Sequence, residues 1–108
     1  MQVRKTYKGL NPTLLYDELR EIIPGYGLQL TQNKLETYSI PGNSSLFIYR
    51  GSLGFSIEGK ECLRVNLMSE DKVETRLILD TDDQLLPDEK ISAIIGELDF
   101  MMGKYEVK

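Results

Sequence analysis

Residues 46–57 read LFIYRGSLGFSI, an apolar run interrupted at Gly51-Ser52. Glycine in the first place of a two-residue loop suits a type II′ hairpin turn. Such a turn pairs Arg50 with Leu53 and Ile48 with Phe55. Leu46 and Ile48 then lie beside Phe55 and Ile57 on one face, and Arg50 faces the same core side near the turn. Phe47 and Tyr49 fall on the opposite face, next to Gly54 and Ser56.

Downstream, turns near Gly59-Lys60 and Glu70-Asp71 are coded less sharply, and the apolar residues select the register. With Ile57 opposite Leu63 and Leu67 opposite Val73, the core face gains Leu63, Val65, Leu67, Val73, Thr75, Leu77 and Leu79. The other face carries Glu58, Arg64, Asn66, Glu74 and Arg76, the one-sided alternation of a sheet with one wet face. Arg64 and Arg76 fall opposite one another, which calls for an acid or an anion between them. Upstream, GLQLTQNKLETYSIPG at 27–42 reads as another hairpin around Gln32-Asn33-Lys34, closed by Pro41-Gly42. MQVRKTYKG supplies a first strand, whose alternation splits the basic residues Arg4, Lys5 and Lys8 between two faces.

Two helices flank the strands. NPTLLYDELREIIPG offers Asn11 as a cap, Pro12 at the first helical position, and Leu15, Leu19, Ile22 and Ile23 on one face, with Pro24-Gly25 as the stop. At the other end, EKISAIIGELDFMMGKY, residues 89–105, places Ile91, Ile94, Ile95, Leu98, Met101, Met102 and Tyr105 in an apolar stripe. Asp88 and Glu89 suit its N-terminal dipole. Gly96 and Gly103 each cost about 1 kcal/mol of helix propensity relative to alanine, which suggests a close neighbour or room for a ligand. The expected fold is therefore α+β. One domain, 1–108, holds a curved antiparallel sheet of about seven strands, with a short N-terminal helix and a long C-terminal helix on one face.

That order of elements resembles the helix-grip fold of the START-like (SRPBCC) superfamily, in which a curved antiparallel sheet grips a long C-terminal helix. The likeness is one of layout over nearly the whole chain, without a residue motif. It implies an apolar or amphipathic small ligand held between sheet and helix. Contacts for such a ligand are Phe55, Ile57, Val65, Leu77, Leu98, Met101 and Met102, with Arg50 or Tyr105 as a polar tether. A second reading is a protein-interaction or self-association module, including a homodimer. It uses Phe47 and Tyr49 with Met68 on the wet face, and Arg64 and Arg76 as a site for an anion or acidic partner.

Composition narrows the chemistry. There is no histidine, so Ser-His, Cys-His and histidine-metal arrangements are excluded. Cys62 is the single cysteine and has no partner for a disulfide, consistent with a cytoplasmic setting. The acidic stretch DTDDQLLPDEKI lacks the glycine and glutamate of a calcium loop: counting from Asp80, those places hold Leu85 and Ile91. No catalytic residue, metal site or cofactor is assigned. The net charge of −4 argues against nucleic acid, and no apolar run reaches the length of a membrane span. Asn43-Ser44-Ser45 reads as a turn.

Overall fold

A computed structural model describes residues 1–70 and 74–107 and, within them, all side chains except those of residues 40 and 43–46. The order is β1 (Gln2–Lys8), α1 (Pro12–Ile22), β2 (Gln29–Ile40), β3 (Asn43–Ile57), β4 (Lys60–Glu70), β5 (Glu74–Thr81) and α2 (Asp88–Met102). Short 3-10 turns follow the helices at Ile23–Tyr26 and Gly103–Tyr105. The strands form one antiparallel five-stranded sheet in the order β1-β5-β4-β3-β2. The chain thus crosses from one sheet edge to the other through α1, then meanders back.

Alternation decides which face is buried. Tyr7, Leu53, Phe55, Leu63, Val65, Leu67, Leu77 and Leu79 join Leu15, Leu19, Ile23, Ile91, Ile94 and Leu98 in one buried cluster. Both helices therefore cover the same face. α1 begins where its residues dictate: the Asn11 side chain accepts from the Thr13 amide at 2.9 Å, and Pro12 follows at the first helical position. Pro24 falls in the 3-10 turn, and Gly27, at φ 84°, ends it in a left-handed conformation. α2 carries Asp88 and Glu89 in its first turn and buries Ile91, Ile94, Leu98 and Met102.

The expected seven strands are five, because both glycine- or amide-rich stretches read as turns lie inside strands. β2 runs through Gln32-Asn33-Lys34, with irregularities in its pairing only before and after them, between Leu30 and Gln32 and between Ser39 and Ile40. β3 runs through Gly51-Ser52 without turning, and its first residues are Asn43–Ser45 rather than a turn. The reason for Gly51 is contact from above. A Cβ there would stand 2.8 Å from Tyr16 Cδ2 and 3.3 Å from Cε2, so glycine makes room for the α1 ring. Nor is the N-terminal helix short: it has 11 residues and continues into the 3-10 turn, against 15 for α2.

Removing the turn reverses the first half of β3. A strand that runs straight keeps odd-numbered residues on one side, so Phe47 and Tyr49 share the helix-bearing side with Leu53 and Phe55. Ile48 and Arg50 move to the other face. β4 and β5 keep the expected core face but pair four residues out of the expected register: Leu67 is opposite Leu77, Arg64 opposite Asp80, and Arg76 opposite Met68. Val73 and the Leu46 side chain lie outside the described residues. The helix glycines have no close neighbour, since added Cβ atoms at Gly96 and Gly103 would meet nothing within 4 Å.

Candidate functional site

The helix-free face of the sheet is organised in rows that follow the register. One row reads Glu36, Arg50, Met68, Arg76 and Thr6 across β2, β3, β4, β5 and β1. The adjacent row reads Lys34, Ser52, Asn66, Ile78 and Arg4. The second row is low in its middle, where Ser52, Asn66 and Ile78 are half-buried, and cations stand at both ends. Together the rows line a groove of about 510 Å³ that also touches Gly51 and Leu67.

Four cations, Arg4, Lys34, Arg50 and Arg76, converge on this groove against one acid, Glu36. Lys34 Nζ lies 2.8 Å from Glu36 Oε1, and Arg4 Nε donates to Gln2 Oε1 at 2.7 Å. Arg76 Nε reaches Glu74 Oε1 only at 3.5 Å. Among the described residues Arg50 has neither an ion pair nor a side-chain hydrogen bond, so its guanidinium is available to an incoming acceptor. Arg64 is different. It donates to Glu61 Oε1 at 2.6 Å and to Gln32 Oε1 at 3.1 Å, one row away, and is locally satisfied.

The chain could read this face only in part. Arg76 and Met68 were expected there and are there. Arg50 was expected on the core side and lines the groove instead, because β3 does not turn. Phe47 and Tyr49 lie across the sheet from Met68, Arg64 and Arg76, so the interaction set is divided between two faces. Asn66 lies on the face expected for it, Arg4 enters the sequence reading only as part of a basic cluster split between faces, and Lys34, Ser52 and Ile78 have no site role there. The signal for them is alternation within each strand: Arg4, Arg50 and Arg76 share a face by parity, and Lys34 joins them because the bulge between Leu30 and Gln32 shifts the parity of β2.

The residues expected to hold an apolar ligand lie on the helix side. Phe55 and Leu98 are 0% exposed, and Val65 and Leu77 are as well buried. These four pack with one another in the core, with Met102 beside them and Ile57, Met101 and Tyr105 partly buried against the cluster. Lys5 also faces this side. It lies 2.9 Å from Asp99 Oδ1 and 3.3 Å from Glu106 Oε1, joining β1 to α2 and the C-terminal segment. Burial alone would lower its pKa, but hydrogen bonds to Asp99 and Glu106 outweigh burial and raise it. Next to it the buried Tyr7 phenol, pushed up by desolvation and by Glu106, has no hydrogen-bond partner among the described residues.

A larger, shallow cleft of about 660 Å³ runs along Glu61–Arg64 and Asp80–Gln84. Its acids are committed: Asp83 pairs with the N-terminal ammonium at 3.2 Å, which together with the Thr81 hydroxyl holds its carboxyl below the usual range. Asp82 accepts from the Gln84 amide at 3.0 Å. Among the described residues no cluster of three or more His, Cys, Asp or Glu side chains is arranged to hold a metal ion. Cys62 at its edge is buried, with its thiol donating to the Phe55 carbonyl at 3.6 Å, and burial pushes its pKa up, away from thiolate reactivity. Among the described residues no helix is long and apolar enough to cross a membrane. No family model, curated protein or solved structure matches the chain.

Proposed function

We propose that this chain is a noncatalytic binding domain that receives an acidic segment of another protein on the helix-free face of its sheet. The observation that carries the reading is the convergence of Arg4, Lys34, Arg50 and Arg76 on one groove, in a chain whose net charge is −4. Two arginines of one row, Arg50 and Arg76, suit carboxylates, which guanidinium groups bind through two parallel hydrogen bonds. Met68 between Arg50 and Arg76, and Ile78 in the trough, give the apolar floor that a side chain between two acids would need. The negative charge of the remaining surface disfavours a long polyanion such as nucleic acid, which would extend past the groove.

An apolar ligand between sheet and helix ranks behind this reading, since the core contacts named for it are already packed against one another. The helix-grip likeness enters only as layout, an antiparallel sheet with a C-terminal helix across one face, on five strands. The single, buried Cys62 supports a reducing compartment, the cytoplasm.

The test is an amide-shift titration with an oligoglutamate peptide interspersed with leucine, run beside a single-stranded oligonucleotide of equal charge. Saturable shifts at Arg50, Ser52, Asn66 and Arg76 with the peptide are expected. Arg50→Ala should weaken binding about tenfold, the loss of one charge-assisted contact. Shifts with the oligonucleotide alone, or peptide binding unaffected by Arg50→Ala and Arg76→Ala, would overturn the reading.

A further inference from the structure

The two edges of the sheet are finished differently. At the β1 edge the C-terminal segment closes part of the strand: Val107 donates its amide to the Thr6 carbonyl at 2.7 Å, and Glu106 bridges to Tyr7. The β2 edge has no strand on its outer side among the described residues. β2 is also 12 residues long, and from Thr31 to Ser39 all its residues except the half-buried Glu36 are exposed. A long open edge is a template for a further strand. Leu35 and Tyr38 remain 38% and 45% exposed there.

From this edge we infer that the chain forms a homodimer in which β2 pairs antiparallel with β2 of a second copy, about a two-fold axis through Leu35. Charge selects both the occupant and the register. Lys34 and Glu36 flank Leu35 on the same face, already attracted to one another at 2.8 Å. In an antiparallel pair centred on Leu35, Lys34 stands opposite Glu36 of the partner subunit, and Glu36 stands opposite the partner's Lys34. The two ion pairs are generated by one symmetry operation, as an isologous interface requires.

Charges on an edge strand ordinarily discourage pairing because like charges meet. Here the single-residue offset makes unlike charges meet. Leu35 meets Leu35 of the partner subunit on the helix side, and Tyr38 lies opposite the partner's Gln32. The bulge between Leu30 and Gln32 ends the regular pairing, which leaves Gln32–Tyr38 as the paired stretch. Because the two-fold stands perpendicular to the sheet, the helix-free faces of both copies form one surface, with the two grooves on the same side. An interface of a single strand pair is narrow, so the dimer is weak, on the order of tens of micromolar.

Sedimentation velocity from about 1 µM to about 1 mM tests this at the concentrations such a weak dimer requires. The wild-type chain should show a reversible monomer–dimer equilibrium. Lys34→Glu presents two carboxylates to its own copy, and Glu36→Lys presents two ammonium groups to its own. Each variant alone should associate at least about tenfold more weakly, because both cross-strand pairs turn from attraction to repulsion. An equimolar mixture of the two variants should recover a heterodimer, and the double variant K34E/E36K should recover a homodimer. Those recoveries also demonstrate that each chain folds. A wild-type chain that stays monomeric throughout, single variants that associate as tightly as wild type, or a mixture that recovers nothing would overturn the inference. Anion binding at Arg50 and Arg76 is read in a separate titration, so neither result stands for the other.

Discussion

Gly51→Ala is the sharpest test of why β3 runs straight. The backbone is not strained there, since Gly51 is not among the glycines of positive φ. What opposes a methyl group is the buried Tyr16 ring, with Cδ2 at 2.8 Å and Cε2 at 3.3 Å from the added Cβ, and Leu35 Cδ1 at 3.5 Å. The first distance is shorter than carbon atoms tolerate, so the ring or the strand must shift. Overpacking of this kind costs about 1–3 kcal/mol. Against it, alanine lowers the entropy of the unfolded chain by about 0.4–1 kcal/mol where the native conformation accepts it. The net expectation is a loss of about 1–2 kcal/mol, read as a lower urea midpoint with an unchanged slope. A second background separates the causes. Tyr16→Val removes the ring atoms in question, and in that chain Gly51→Ala should be neutral or slightly stabilising, giving a coupling of about 1–3 kcal/mol in the cycle. If Gly51→Ala costs the same with and without the Tyr16 ring, glycine is required by backbone conformation, and the close-approach argument fails.

Three further outcomes follow from other contacts. Lys5 is raised in the folded state, so its contribution is fully present below the unfolded value of 10.5 and is lost as pH rises through the higher folded value. Thermal midpoints taken from neutral pH to strongly alkaline pH should therefore fall in the wild type, and less steeply in Lys5→Met. Asn11→Ala removes the cap on Thr13 and should cost about 1 kcal/mol in urea unfolding, while Asn11→Gly should cost only a few tenths. Phe100, at 91% exposed on α2, should tolerate Phe100→Ser within about 0.5 kcal/mol by the same assay.

The helices were legible because local rules act at their ends: Asn11, Pro12 and Pro24 mark α1, and the apolar spacing from Ile91 to Met102 marks the face of α2. The inward faces of β4 and β5 were legible because alternation survives any register shift by an even number of residues. What could not be read locally was the meaning of Gly51. A glycine that opens a two-residue turn and a glycine that clears space beneath an aromatic ring have the same local sequence, and the ring belongs to Tyr16, 35 positions earlier. Gln32-Asn33-Lys34 misled for the opposite reason. Polar residues in mid-strand suggest a turn, yet an edge strand exposed on both faces accepts them.

A misplaced turn changes the inferred chemistry as well as the strand count. With a turn at Gly51-Ser52, Arg50 belongs to the core side and asks for an apolar ligand with a polar head. Without it, Arg50 crosses the sheet to join Arg4, Lys34 and Arg76, and the same guanidinium asks for a carboxylate. The residues on the face did not change in kind, only in company. Tyr16 therefore connects fold to function through one contact: by occupying the space above Gly51 it favours an unbroken β3, and an unbroken β3 sets the parity that gathers the cations. A chain in which β3 was induced to turn at Gly51 would lose the Arg50 corner of the groove while keeping every charge. Anion binding should then fall together with the Tyr16 contact, even though Tyr16 lies on the opposite face from any bound partner.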